Sequence, residues 1–187
     1  MDFDDPEQLC LRGSLILADP SLRDPNFFRS VLLLTEHGFE SGAHGYVLNR
    51  PLGKTVAEIL PPKDFEGLES VEVFVGGPVN QEQLTFAALR WNAERSAIDF
   101  KTHLSTSQAA ERTSGNEDVR AFVGYAGWAG GQLEMELQQR AWIACKGKAS
   151  VVKPAMKNAK ELWRELMLSM GPYYHLLADT PEDPTLN

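Results

Sequence analysis

Long apolar runs are missing from this chain. Nothing in its 187 residues approaches the roughly 18–20 consecutive apolar positions that carry a helix across a bilayer, so no membrane partner is expected. Cysteine is scarce: Cys10 and Cys145 form no CxxC pair and no metal-ligand pattern, and in a reducing compartment both would be free thiols. The four histidines, His37, His44, His103 and His175, include no i, i+4 pair, so neither a metal nor a cofactor is expected. Positive charge is in deficit, with 18 Lys and Arg against 26 Asp and Glu. An acidic chain gains little from neutralising phosphates, the main source of nucleic-acid affinity, so nucleic acid is not an expected partner. There is no GxSxG elbow and no P-loop, and neither cysteine has neighbours that would lower its pKa. Residues 1–7 are acidic, whereas a secretory leader opens with positive charge; a cytoplasmic location is expected.

What is present is ordinary globular material. Hydrophobic residues make up 43% and charged residues 24%, enough for one buried core. One domain over residues 1–187 is expected, with irregular tails at about 1–9 and 178–187. Short apolar stretches bounded by Gly, Pro and Asp predict strands at 14–18, 30–35, 45–49, 71–75, 84–89, 119–123 and 142–145. Thr55 followed by Glu58 matches a capping box and predicts a short helix ended by Pro61. Leu133 and Leu137 stand one turn apart and predict a helix over 132–139. Ala159, Leu162, Trp163, Leu166, Met167 and Met170 make one apolar face and predict a helix over 157–170, ended by Gly171-Pro172. The strands cluster without regular βαβ alternation, which favours α+β.

The densest signal lies at 124–134, where Tyr125 and Trp128 stand among Gly124, Gly127, Gly130 and Gly131 just before the helix carrying Gln132 and Glu134. Glycine admits close backbone approach at an entropic cost, and a helix N-terminus favours an anion. The same glycines equally suit a tight strand crossing in a bent sheet with the aromatics in the core. Asn49-Arg50-Pro51 ends a strand, and arginine offers a fork for carboxylate or phosphate or for internal carbonyls. Gly76-Gly77-Pro78 ends another and could form an anion nest or a plain turn. Glu134 and His103 are open to acid–base work from distant positions, though no motif proposes catalysis. A basic stretch also runs through Arg140, Lys146, Lys148, Lys153, Lys157 and Lys160, with no acid between Glu136 and Glu161.

Taken together, Arg12-Gly13-Ser14-Leu15-Ile16-Leu17-Ala18-Asp19-Pro20, Asp24-Pro25-Asn26-Phe27, Asn49-Arg50-Pro51-Leu52, Gly76-Gly77-Pro78-Val79, Gly124-Tyr125-Ala126-Gly127-Trp128, Gln132-Leu133-Glu134 and Pro181-Glu182-Asp183-Pro184 occur in an order that resembles the AlgH/YqgE family of bacterial proteins. The resemblance implies a single α+β domain whose bent, bifurcated, mostly antiparallel sheet forms a pseudo-barrel flanked by helices. The family's name comes from a role proposed in regulating exopolysaccharide (alginate) production, which is a genetic label and not a mechanism, and it suggests a transcriptional regulator. His44 and Tyr46 depart from the family's aliphatic pattern, so the strand before Asn49 should pack differently here. The expectation is a non-enzymatic regulatory or interaction protein that binds an unidentified protein partner or a small anionic ligand at Asn49, Arg50, Gly76, Gly77, Tyr125, Trp128, Gln132 and Glu134. The alternatives are an enzyme acting on a small metabolite at Arg50, Trp128 and Glu134, and a nucleic-acid contact through the basic stretch at 140–160.

Overall fold

The computed structural model describes residues 10–61, 64–115, 117–152 and 159–181, with Lys160 described by its backbone alone. Nine strands form one sheet in the order β4-β5-β8-β3-β2-β1-β9, with β6 attached to β8 and β7 to β6. In chain order these are β1 Leu15–Ala18, β2 Val31–Gly38, β3 Gly42–Val47, β4 Pro51–Thr55, β5 Glu72–Val75, β6 Val79–Asn92, β7 Ala97–Leu104, β8 Asp118–Trp128 and β9 Trp142–Cys145. The helices are α1 Thr106–Thr113, α2 Gln132–Gln138, α3 Ala159–Leu168 and α4 Pro172–Ala178. Every strand pair is antiparallel except β5 with β8, and the sheet curls into a half-barrel.

The sheet is covered on both faces, which explains why its strands read as apolar runs and not as alternation. Leu15, Leu17, Leu33 and Leu48 join Trp163, Leu166 and Met167 of α3 on one face. Ile16, Ala18, Leu32 and Leu34 join Leu133 of α2, Trp128 and Trp142 on the other. A third cluster beneath α1 holds Val56, Leu68, Val73, Phe86, Ala109 and Ala121. Trp163 ties α3 down by donating its indole N–H to the Ala18 carbonyl at 2.9 Å.

The architecture turns on β8. Its first half pairs with β5 and β6, and its last residues, Ala126 to Trp128, pair with β3. The switch falls at Gly124, whose φ of 70° is one that L side chains rarely adopt. There the Gly76 N–H donates to the Val123 carbonyl at 2.8 Å and the Gly76 carbonyl accepts from the Val47 N–H at 2.8 Å. A Cβ on Gly77 would lie 2.2 Å from the Tyr125 carbonyl carbon, and one on Gly124 would lie 2.5 Å from the Gly77 oxygen. Only bare backbone fits this three-strand junction.

Several boundaries differ from the sequence expectation. The strand expected at 84–89 is the middle of the longer β6, and its hairpin partner β7 and the edge strand β4 were not anticipated. Helix α1 was not anticipated, although Ser105 and Gln108 form its capping box. The expected tail from 178 is corrected at its start, since Ala178 closes α4 and is buried. The tail positions 1–9 and 182–187, and residues 157–158 of the expected long helix, lie outside the described residues. Among the described residues no helix is long and apolar enough to cross a membrane.

Gly53 shares the φ of 70° with Gly124 but has open space around it, so the pair separates conformational strain from crowding. Gly53→Ala should cost about 1 kcal/mol through φ alone. Gly124→Ala should cost about 3 kcal/mol or more, because the facing atoms are backbone and cannot step aside. Urea denaturation of both variants measures the difference.

Candidate functional site

Asn49 and Arg50 are committed to the loop that precedes β2. The Asn49 Oδ1 accepts from the Val31 N–H at 2.8 Å while its Nδ2 donates to the Arg29 carbonyl at 2.9 Å, so a buried side-chain amide supplies both halves of a missing strand. The Arg50 fork donates from Nη1 to the Pro25 carbonyl at 3.0 Å and from Nη2 to the Phe28 carbonyl at 2.9 Å. Burial presses the Arg50 pKa downward, with Asp24 opposing it. Gly76 and Gly77 form the strand junction described above, and the Gly76 N–H is already bonded.

Tyr125 and Trp128, three apart on β8, face opposite sides of the sheet by strand alternation, which corrects the expectation that both could line one pocket; the φ of Gly124 instead lets Phe122 and Tyr125, on either side of it, share one cluster. Tyr125 stacks on His44 with centroids 4.4 Å apart, and Tyr46 lies 4.7 Å from Phe122. His44 and Tyr46 therefore extend one aromatic layer with Tyr125 and Phe122. The His44 Nδ1 is 2.8 Å from Thr35 Oγ1. Burial pushes the Tyr46 hydroxyl up to about 12.

On the opposite face, Trp128 and Trp142 both donate their indole N–H to Glu136 Oε2, at 2.9 and 2.7 Å, and Gln132 Nε2 donates to Glu136 Oε1 at 2.9 Å. Phe27, on the loop held by Arg50, packs against both indoles at 6.4 and 5.4 Å. Arg50 and Trp128 are thus joined through one loop and share no free pocket. Gln132 Oε1 also accepts from the Ala129 N–H at 3.0 Å, capping the start of α2. Glu136 was missed in the sequence although its partners lie within eight positions, Gln132 one helical turn before it on α2. Buried Arg120, which donates to Asp118 Oδ2 two residues away and to the Val151 carbonyl 31 positions on, was also missed, because only folding brings Val151 to it.

Glu134 differs from the other expected site residues because it reaches a cleft. It is buried, and its Oε1 stands 3.2 Å from Nε2 of His37, too bent for a directed hydrogen bond. The His37 Nδ1 accepts from the Leu11 N–H, so the ring proton sits on Nε2, toward the carboxylate. The cleft, about 620 Å3, lies between α2, β9 and α4 and is lined by Glu134, Arg140, Trp142, Tyr173, Tyr174 and Leu177 among others. Arg140 follows α2 with φ of 59°. Its N–H bonds the Leu137 carbonyl while the Ala141 N–H bonds the Glu136 carbonyl. This is a Schellman termination with arginine where glycine is favoured. The Arg140 guanidinium has no hydrogen bond or ion pair among the described residues.

The basic stretch does not act as one surface in its described part. Arg140 faces this cleft, Lys146 lines a separate groove, and Lys148 Nζ donates to Ser169 Oγ at 2.7 Å. Lys153 and Lys157 lie outside the described residues. Among the described residues no group of three or more His, Cys, Asp or Glu is placed to hold a metal ion.

These features define an α+β half-barrel protein with a glycine junction and an adjoining aromatic cleft. The family model described as AlgH-like matches residues 15–175, and the chain belongs to that family. A UPF0301 protein of Streptomyces avermitilis is 35% identical over 95% of both chains, and one of Cytophaga hutchinsonii is 34% identical over 94% of this chain and 98% of its own. The solution structure of the AlgH protein from Pseudomonas aeruginosa is similar with a TM-score of 0.61 at 27% identity, covering 97% of this chain and 98% of that one. A crystal structure from Corynebacterium diphtheriae has a TM-score of 0.68 at 22% identity, covering 95% and 94%, and supports the fold.

Two outcomes test this geometry. Arg50→Lys keeps the charge but loses the fork, and should lower stability by about 1–2 kcal/mol in denaturant melts. Burial, aided by nearby His103 and opposed by Glu36, holds the His44 pKa below its ordinary 6.5. The unfolded chain therefore takes a proton there that the folded chain resists, so this contribution is complete above 6.5 and declines as pH falls below it. Urea midpoints between neutral pH and pH 5.5 should fall less steeply in His44→Gln.

Proposed function

We propose that the protein is a non-enzymatic regulatory or interaction protein of the cytoplasm that binds a small organic anion in the cleft beside α2. The observation that carries this reading is Arg140. A non-glycine residue in the left-handed region costs about 1–2 kcal/mol, and unfavourable backbone retained at a cleft lip motivates a functional role. The acids of the cleft are turned to other groups: Glu134 Oε1 stands 3.2 Å from His37 Nε2, and Asp19 Oδ1 accepts from the Ser21 N–H at 2.9 Å and Oγ at 2.7 Å. Arg140 is left to orient a carboxylate or phosphate, while Trp142, Tyr173, Tyr174 and Leu177 offer walls for an aromatic or branched apolar body. A volume near 620 Å3 suits a metabolite-sized ligand. The free thiols Cys10 and Cys145 suit a reducing compartment.

The buried Glu134–His37 pair favours one second reading, turnover of the same ligand by proton transfer. It predicts that the bound compound is chemically altered and that Glu134→Gln abolishes the change without loss of fold.

Native mass spectrometry of protein gently purified from its own host should find one extra mass of metabolite size. Arg140→Gly should remove that mass and raise stability by about 1 kcal/mol, roughly 2–4 °C in melting temperature. Retention of the ligand by Arg140→Gly would overturn the assignment.

A further inference from the structure

A second concavity, of about 670 Å3, lies between the residues leading into β1, the β6–β7 hairpin and the end of β9. Its walls carry Arg12, Arg90, Arg95, Lys101 and Lys146, five cations, against two carboxylates, Asp99 and Glu117. In a chain of formal net charge −8 this is a local reversal of sign. Glu117 is neutralised from outside the groove by an ion pair with Arg112, which leaves Asp99 as the internal counter-charge.

The cations are held in different ways. The Arg12 Nε donates to the Thr35 carbonyl at 3.0 Å and its Cζ lies 4.9 Å from the centre of the Phe100 ring. That guanidinium is oriented by one nitrogen and one face, and its two terminal nitrogens have no partner among the described residues. Arg90 and Arg95 both meet the Asp99 carboxylate, Arg90 at 3.3 Å, with Asn92 Nδ2 adding a bond at 3.1 Å. Lys101 and Lys146 have no hydrogen bond or ion pair among the described residues. Close packing builds the floor: a Cβ on Gly147 would come within 2.9 Å of Ile98 Cγ1, bringing the end of β9 against the hairpin.

We infer that this groove is a binding site for a small, multiply charged phosphate compound, with the Arg12 fork and the Lys101 and Lys146 ammonium groups meeting its oxygens. A single carboxylate would engage one wall only, because the free cations come from three separate segments. A compact oligophosphate meets all three at once, with bidentate geometry at arginine and point charges at the lysines. Asp99 occupies the place of an anion on Arg90 and Arg95, and such exposed pairs are weak enough to exchange for a better-charged ligand. The confined groove and the acidic remainder of the chain favour a small molecule over a nucleic-acid backbone. The site is separate from the cleft at Arg140 and does not depend on it.

The test is isothermal titration calorimetry of the full chain with sodium tripolyphosphate at low salt. One-to-one binding is expected, weakened about tenfold by Lys146→Gln, whose side chain holds nothing else in place. Asp99→Asn should tighten binding several-fold by releasing Arg90 and Arg95. Lys54→Gln, on exposed β4, should leave affinity unchanged. Absence of binding would overturn the inference, as would equal weakening by Lys54→Gln and Lys146→Gln. Displacement of tripolyphosphate by duplex DNA, at a stoichiometry that grows with duplex length, would overturn it in favour of a polymer.

Discussion

The contact on which the rest of the structure depends is the backbone crossing of Gly77 and Gly124. Here β8 exchanges β5 and β6 for β3, and a single Cβ on either glycine would collide with main-chain atoms. Beyond the crossing Tyr125 still pairs with Val79 of β6 and Ala126 to Trp128 pair with β3, and strand alternation sends Tyr125 and Trp128 to opposite faces. Each face then acquires its own cover: α3 over the Tyr125 side, and α2 with the loop preceding β2 over the Trp128 side. The half-barrel is therefore a consequence of one glycine-permitted turn of a strand, with apolar burial stabilising both sides.

Around that crossing, polar side chains replace hydrogen bonds that the curved sheet cannot supply. Asn49 completes the start of β2, Arg50 secures the loop through two carbonyls, and Glu136 gathers two indoles and an amide. Buried polar groups of this kind are costly when unpaired, which is why they occur as complete sets. The sequence segments with the most distinctive composition are thus those that build the scaffold. Arg140 at the cleft and Lys101 and Lys146 in the groove, which have no hydrogen bond or ion pair among the described residues, stand outside those segments.

The sequence was legible where local chemistry decides structure. Apolar runs ended by Gly and Pro located β1, β2, β5 and β9, and the face formed by Leu162, Trp163, Leu166 and Met167 located α3. The family resemblance, more than any pattern of spacing, supplied the bent sheet. Less legible was the hairpin of β6 and β7, whose polar first half from Val79 to Gln83 has little apolar alternation yet continues the strand. Among the expected site residues, Glu134 reaches a cleft, whereas Asn49, Arg50, Gln132 and Trp128 are engaged internally. For Asn49, Arg50 and Glu134 that difference lies in partners 18 to 97 positions away, such as Val31 for Asn49 and His37 for Glu134, which no local spacing encodes. Arg140 carried a readable hint, since it follows α2 at the position where glycine commonly ends a helix.

Native-state hydrogen exchange at the Val47 and Gly76 amides tests the primacy of the crossing most directly, because these two groups bond across it to Gly76 and Val123. If the junction holds the sheet together, both amides exchange only through global unfolding, with a protection free energy equal to that from urea denaturation. Exchange of these two by local opening, while Ile16 and Leu17 of β1 stay protected to the global limit, would contradict the account.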